Sequence, residues 1–243
     1  MIKFILLALI LGALLYGLRI KRLLANTHTL VVTSETFKRD YYVGSATDAP
    51  LSYIALGDSV TQGSGCQSLE ETYVYQVAQA LAAKGRYVHV QNFAKSGAKV
   101  SDLLHKQLPL DGKLKPDYIT ITIGTNDATH FTDPAAYETT VDQIVDELDS
   151  YKSTTILLAN SINAGNFPAL PPIYAQLAGR RAADQNKTLV KILKQKRSAI
   201  KTVDLYTTGK LDAKINSAYY ASDLFHPAKA GYERWSKLFI EQL

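Results

Sequence analysis

The sequence predicts an α/β fold: a doubly wound α/β/α sandwich with a central five-stranded parallel sheet, preceded by an N-terminal membrane helix. Three observations point there. From residue 51 to the end, short apolar runs alternate with amphipathic helical patterns. Those runs are five to seven residues long with continuous β-branched content, as strands of a parallel sheet buried on both faces are. An uncharged stretch of fifteen residues, FILLALILGALLYGL, opens the chain.

That opening stretch, Phe4 to Leu18, is followed by Arg19, Lys21 and Arg22. A spanning helix wants roughly 17–25 residues, a length reached here when Ile2 and Ile20 are added and Lys3 and Arg19 snorkel. Residues 1–25 are read first as an uncleaved membrane anchor. A cleavable signal peptide is the second reading, opposed by the poor cleavage pair Leu23 and Ala25 and by the basic cluster after the apolar run. A core helix is the third, opposed by an apolar character all round the helix. Counted alone, the flanking bases would place the body in the cytoplasm.

Residues 26–50 are polar and β-branched without helical periodicity, and read as a linker with room for one added strand. The body spans 51–243. Its expected strands are Ser52–Leu56, Tyr87–Phe93, Tyr118–Ile123, Thr155–Ala159 and Ile200–Asp204. The expected helices are Glu70–Lys84, Val100–Gln107, Pro134–Tyr151, Tyr174–Gln195 and Pro227–Gln242. In such sheets ligands bind beyond the carboxyl ends of the strands.

Composition narrows the class. With 243 residues there is chain for one domain and an appendage, and 47% hydrophobic residues exclude a mainly disordered chain. The single Cys66 excludes an intrachain disulfide framework and a multi-cysteine zinc site. The net charge of +5 suggests a nucleic-acid partner until it is located: residues 1–25 hold four bases and no acid, leaving 23 bases against 22 acids elsewhere. A body at +1 lacks the basic footprint of a nucleic-acid binder. Lys187, Lys191, Lys194, Lys196, Arg197 and Lys201 read as a solvated face, with anionic lipid contact as the other reading.

Four short segments fall at strand ends or before the last helix. Gly57-Asp58-Ser59-Val60 closes the first strand, where the glycine permits a sharp turn and Ser59 meets the start of a helix. It is not the G-x-S-x-G elbow, since Thr61 stands two residues after Ser59. Gly63 and Gly65 lack the G-K-[ST] of a phosphate loop. Asn92-Phe93-Ala94-Lys95-Ser96-Gly97 leaves the second strand, and Gly124-Thr125-Asn126-Asp127 leaves the third. In Asp223-Leu224-Phe225-His226-Pro227, carboxylate and imidazole are three apart, a spacing that lets Asp223 accept from His226 Nδ1–H and frees Nε2 for a serine hydroxyl. Pro227 is expected to start the last helix.

In this order, over residues 51–243, the blocks GDSV, N-x-x-x-S-G, GTND and D-x-x-H-P resemble those of the SGNH (GDSL-type) hydrolases, serine esterases and lipases on a flavodoxin-like three-layer α/β/α sandwich. Val60 replaces the leucine of the family name, a conservative apolar change. Phe167-Pro168-Ala169-Leu170-Pro171-Pro172, followed by Arg180-Arg181 and Asn186, is similar to the lipolytic-esterase branch. The resemblance implies Ser59 as nucleophile, His226 as general base and acid, and Asp223 as its orienting partner. It also implies an oxyanion hole made of the Ser59 and Gly97 N–H groups and the Asn126 side chain. No cofactor and no metal are implied, and the body is placed on the extracytoplasmic side.

The remaining candidates carry less. Asp58 reads as a loop-capping carboxylate and Cys66 as a packed apolar residue. His28, His89 and His105 have no carboxylate at useful spacing, while Asp127 and His130 form a second D-x-x-H that reads as site lining. Phe131, Phe167, Leu170, Pro171 and Leu224 follow the catalytic segments and are read as an apolar substrate pocket or as loop packing. Acyl or lysophospholipid-like esters are the first expectation. A carbohydrate O-acetylesterase acting on cell-envelope polymers is the alternative, and a non-catalytic anchored binding module the third.

Overall fold

The computed structural model describes residues 2–26, 33–45, 49–83, 85–112, 114–213 and 215–243. Its strands are β1 (Asp40–Val43), β2 (Leu51–Gly57), β3 (Val88–Asn92), β4 (Tyr118–Thr122), β5 (Thr155–Ala159) and β6 (Lys201–Val203). They form one sheet in the order β1-β3-β2-β4-β5-β6. The five expected strands are mutually parallel. The sixth, β1, lies antiparallel on β3, with Asp40 opposite Gln91 and Val43 opposite Val88. It covers an edge that β3 would otherwise leave unpaired. From β2 the chain runs outward to β3, then returns past β2 to β4, so the strand order reverses between β2 and β4. That reversal is where doubly wound sheets open a crevice.

The helices are α1 (Ile2–Asn26), α2 (Ser59–Gln62), α3 (Tyr73–Ala82), α4 (Val100–Asp102), α5 (Thr125–Thr129), α6 (Pro134–Asp149), α7 (Pro172–Lys196) and α8 (Lys229–Ile240). Side chains alternate across a strand, and both faces of the sheet are covered. Tyr53 and Ala55 of β2 pack with Tyr73 and Val77 of α3 and Tyr232, Trp235 and Phe239 of α8. Ile54 and Leu56 pack with Val141, Ile144 and Leu148 of α6 and Leu189 and Ile192 of α7.

Three helices depart from expectation. The helix expected from Glu70 starts at Tyr73, because Thr72 caps it by accepting from the Tyr75 N–H at 3.1 Å. The one expected over 100–107 is a single α-turn followed by a π-turn, Leu103–Gln107. Pro227 does not start the last helix: it bridges Tyr220, the Ala228 N–H donates to Tyr219 O, and α8 begins at Lys229. Three of the four lysines of α7 are ion-paired to neighbouring acids, Lys187 to Asp184 at 2.9 Å, Lys191 to Glu138 at 2.7 Å and Lys196 to Asp146 at 2.7 Å, as a solvated face would be.

Helix α1 is 25 residues long, and its Phe4–Arg22 stretch is long and apolar enough to cross a membrane. Of its described side chains only Tyr16 and Ile20, one turn apart, are partly covered; the rest are exposed.

Candidate active site

The turn after β2 is forced by Gly57. Its φ is +136°, and a Cβ there would stand 2.1 Å from Thr122 O, so no other residue lets β2 lie this close to β4 while the chain turns. Asp58 then caps α2, its Oδ1 accepting from the Val60 N–H at 3.0 Å. Ser59 is the first residue of α2, so its backbone N–H lies outside the intrahelical ladder. Gln107, brought round by the π-turn, accepts from the Gly57 N–H and donates to the Gly57 O, both at 2.8 Å.

The second half of the site is the loop 221–227. Asp223 Oδ1 accepts from the N–H groups of Phe225 and His226, each at 3.0 Å, and its Oδ2 accepts from His226 Nδ1–H at 2.6 Å. With Nδ1 protonated, Nε2 is left as an acceptor, and the Ser59 hydroxyl donates to it at 2.9 Å. Ser59, Asp223 and His226 are thus one hydrogen-bonded chain, buried at 6% exposure for Ser59 and 4% for His226. Gly65 makes the approach possible: a Cβ there would stand 2.2 Å from Pro227 O and 3.2 Å from His226 Cβ.

Gly97 and Asn126 leave the ends of β3 and β4, the two strands flanking β2. Gly97 has φ +79° and open space where a Cβ would be. The N–H groups on either side of it are engaged, Ser96 with Gln62 Oε1 at 2.8 Å and Ala98 with Lys95 O at 3.0 Å. Asn126 donates one amide hydrogen to Ala98 O at 3.0 Å, which fixes the side chain and leaves its second N–H available. Asn92 braces the same corner, donating to Thr61 O at 2.8 Å and accepting from the Ala94 N–H at 3.0 Å.

Residues 55–234 match the family model described as GDSL-like Lipase/Acylhydrolase family. The chain belongs to that family. This makes the GDSL-like hydrolase a carboxylic ester hydrolase. Its fold is similar to that of a lipase from a goat rumen metagenome, at 26% identity and TM-score 0.63 over 79% of this chain and 97% of that one. It is also similar to an acetylxylan esterase from Geobacillus stearothermophilus, at 21% identity and TM-score 0.58 over 82% and 95%. A psychrotrophic esterase from Pseudoalteromonas, solved inhibited by monoethylphosphonate, matches at 18% identity and TM-score 0.61 over 79% and 95%. No curated protein matches the chain in sequence.

Two carboxyls beside the hydrolase's serine are tuned in opposite directions. Burial works to raise the Asp223 carboxyl, but hydrogen bonds and charge from His226 and the two N–H groups outweigh it and hold it below its ordinary value. Asp58 is pushed up to about 7 by burial, with the Val60 N–H only partly compensating and the nearby Asp127 adding to the rise. Asp127 is itself raised by burial and accepts from the Val100 N–H at 3.0 Å.

Of the five pocket candidates, Phe167 and Leu170 are buried in the core. Phe167 packs edge-on to Phe225, which in turn packs edge-on to His226, so it backs the histidine loop. Pro171 is buried at the N-cap of α7. Phe131 and Leu224 are exposed, and both hold left-handed backbone at φ 51° and 56°. For a bulky side chain that conformation costs about 1–2 kcal/mol.

Of the other histidines, His105 is exposed in the π-turn. His28 lies outside the described residues. His89 does meet a carboxylate, contrary to what its spacing suggests: Asp40 of β1 at 2.7 Å, at the amino end of β3 and away from the serine. His130, the residue after α5, has its Nδ1 2.9 Å from Asn126 O, so the backbone of α5 and not Asp127 holds the ring. Cys66 is buried and its thiol is raised by burial.

Sequence reasoning missed Gln62, Gln107 and Gly65. The partners, Ser96 for Gln62, Gly57 for Gln107 and Pro227 for Gly65, lie 34 or more positions away, which no local spacing signals.

Proposed function

We propose that the protein is a membrane-anchored serine esterase that cleaves acyl or lysophospholipid-like esters through Ser59, His226 and Asp223. The observation that carries the reading is the unbroken relay from Asp223 Oδ2 through His226 to Ser59 Oγ, at 2.6 and 2.9 Å. Ser59 Oγ attacks the ester carbonyl while His226 Nε2 takes its proton, and the Asp223 carboxylate stabilises the imidazolium that forms. The N–H groups of Ser59 and Gly97 and the second amide hydrogen of Asn126 receive the oxyanion. Collapse expels the alkoxide, which takes the proton from His226 Nε2. Water, deprotonated by the same nitrogen, then attacks the acyl-enzyme and releases the acid.

The anchor is α1, with Phe4–Leu18 in the hydrocarbon and Arg19, Lys21 and Arg22 at its edge. The apolar, exposed Leu224 within the histidine loop and Phe131 five residues past Asn126 favour an acyl chain over a sugar ring. Turnover of p-nitrophenyl esters from acetyl to palmitoyl tests this. A maximum at medium or long acyl chains is expected. A sharp optimum at acetyl with nothing beyond butyryl would refute the acyl reading and point to an O-acetylesterase.

A further inference from the structure

We propose that the mouth of the site docks on the lipid surface in which α1 is seated, so that the ester enters from the headgroup boundary instead of from bulk water. The proposal rests on the anchored-esterase reading and adds where that site stands relative to the bilayer.

The helix itself supplies a ruler. The Tyr174 N–H, in the first turn of α7, donates to Tyr16 Oη at 3.3 Å. Tyr16 lies two residues before the end of the uncharged stretch and three before Arg19, about 4.5 Å along the helix from that charge. Tyrosines at such positions sit at the membrane–water boundary. The contact therefore sets the start of α7 at headgroup level, while the described apolar side chains between Phe4 and Leu15 are exposed and left for the hydrocarbon.

What stands at that level is apolar. Ile173 and Leu177, one turn apart on α7 and flanking Tyr174, are 65% and 45% exposed. Phe131 meets the Tyr174 ring edge-on at 5.3 Å between centroids. Leu224 joins through its carbonyl, which accepts from the Ala169 N–H at 3.1 Å. Phe131 follows Asn126 by five residues, and Leu224 lies between Asp223 and His226. Leu224 thus stands in the histidine loop itself, and Phe131 two residues past α5, the helix that carries Asn126. Their left-handed backbones are a conformation that glycine or asparagine would take at lower cost if no apolar side chain were needed there.

Charge on α7 follows the same level. Residues 167–183 contain no acid, and Arg180, exposed, lies one turn beyond Leu177. Together with Arg19, Lys21 and Arg22 it suits lipid phosphates above an apolar rim. Further along α7, Lys187, Lys191 and Lys196 are paired with acids instead.

The test uses the full chain in phosphatidylcholine–phosphatidylglycerol vesicles. On a Cys66→Ala background, an environment-sensitive fluorophore is attached at Ile173→Cys or, as control, at Ser153→Cys in the exposed loop at the opposite end of the strands. Docking gives a blue shift and quenching by shallow spin-labelled lipid at 173 and neither at 153. A water-like label at 173 overturns it, and so does a shift that ignores the quencher lipid but grows with protein concentration, which indicates a second copy. An Ile173→Asp/Leu177→Asp variant is expected to keep p-nitrophenyl acetate turnover within about twofold and to lose at least tenfold on a long-chain ester embedded in the vesicle. Equal rates on the embedded ester count against docking. Absence of Ser59-dependent turnover on every ester defeats the esterase reading while leaving the label result to stand alone.

Discussion

Replacing Asp58 by asparagine should change how stability depends on pH while sparing the chemistry. The carboxyl is fully enclosed beside the nucleophile, and the groups that face it are acids or phenols: Asp127 of α5, Tyr73 of α3 and Tyr232 of α8. Its value of about 7 in the fold exceeds the ordinary 3.8, so between those values the folded state holds a proton that the unfolded state releases. The contribution to stability is full below pH 4 and is lost as pH rises through 7. From pH 5 to pH 8 the loss amounts to about 2.5 kcal/mol. Asparagine keeps an acceptor for the Val60 N–H and has nothing to titrate. Urea unfolding of both proteins at pH 5 and pH 8 should therefore show the variant gaining about 2.5 kcal/mol relative to the parent over that interval. Parallel stabilities across the range would show that Asp58 is ionised throughout and refute the reasoning. Ester turnover should stay within about threefold, because the side chain caps α2 and does not touch the relay.

Other substitutions separate the parts of the site. Asn126→Ala removes one oxyanion donor and should lower kcat by roughly 10²–10³, with far-UV circular dichroism unchanged. Asp223→Asn should cost about 10³–10⁴ in kcat at pH 7 by removing the carboxylate that fixes the Nδ1–H tautomer, whereas a loss below tenfold would make Asp223 only a loop residue. Gly57→Ala should abolish soluble expression or lower Tm by more than 10 °C, since its Cβ has Thr122 O 2.1 Å away; an unaltered melting curve would mean that the turn relaxes freely.

The parallel strands were legible because each is a short run rich in β-branched residues between turn residues, and the catalytic blocks because they sit at the ends of those runs. Asp223 and His226 were readable as a pair since three residues separate them. The bond from His226 to Ser59 spans 167 positions, so only the family resemblance could join them in advance. The clamps formed by Gln107 on Gly57 and Gln62 on Ser96 depend on tertiary approach, and so does the packing of Gly65 against Pro227. Of the glycine pair after α2, Gly65 proves to be a contact surface for the histidine loop, while Gly63 packs against Thr72 and Phe37. Among the apolar candidates, closeness in sequence to catalytic blocks did not distinguish Phe167 and Leu170, which face the core, from Phe131 and Leu224, which face outward.

The central claim is that Ser59 is a nucleophile activated by His226. The direct measurement is labelling of the full chain with a fluorophosphonate, followed by peptide mass spectrometry. The account expects one adduct per chain on Ser59, none in Ser59→Ala, and loss of ester turnover in step with labelling. A folded parent chain that takes no label, or a Ser59→Ala chain that still hydrolyses esters, would contradict it.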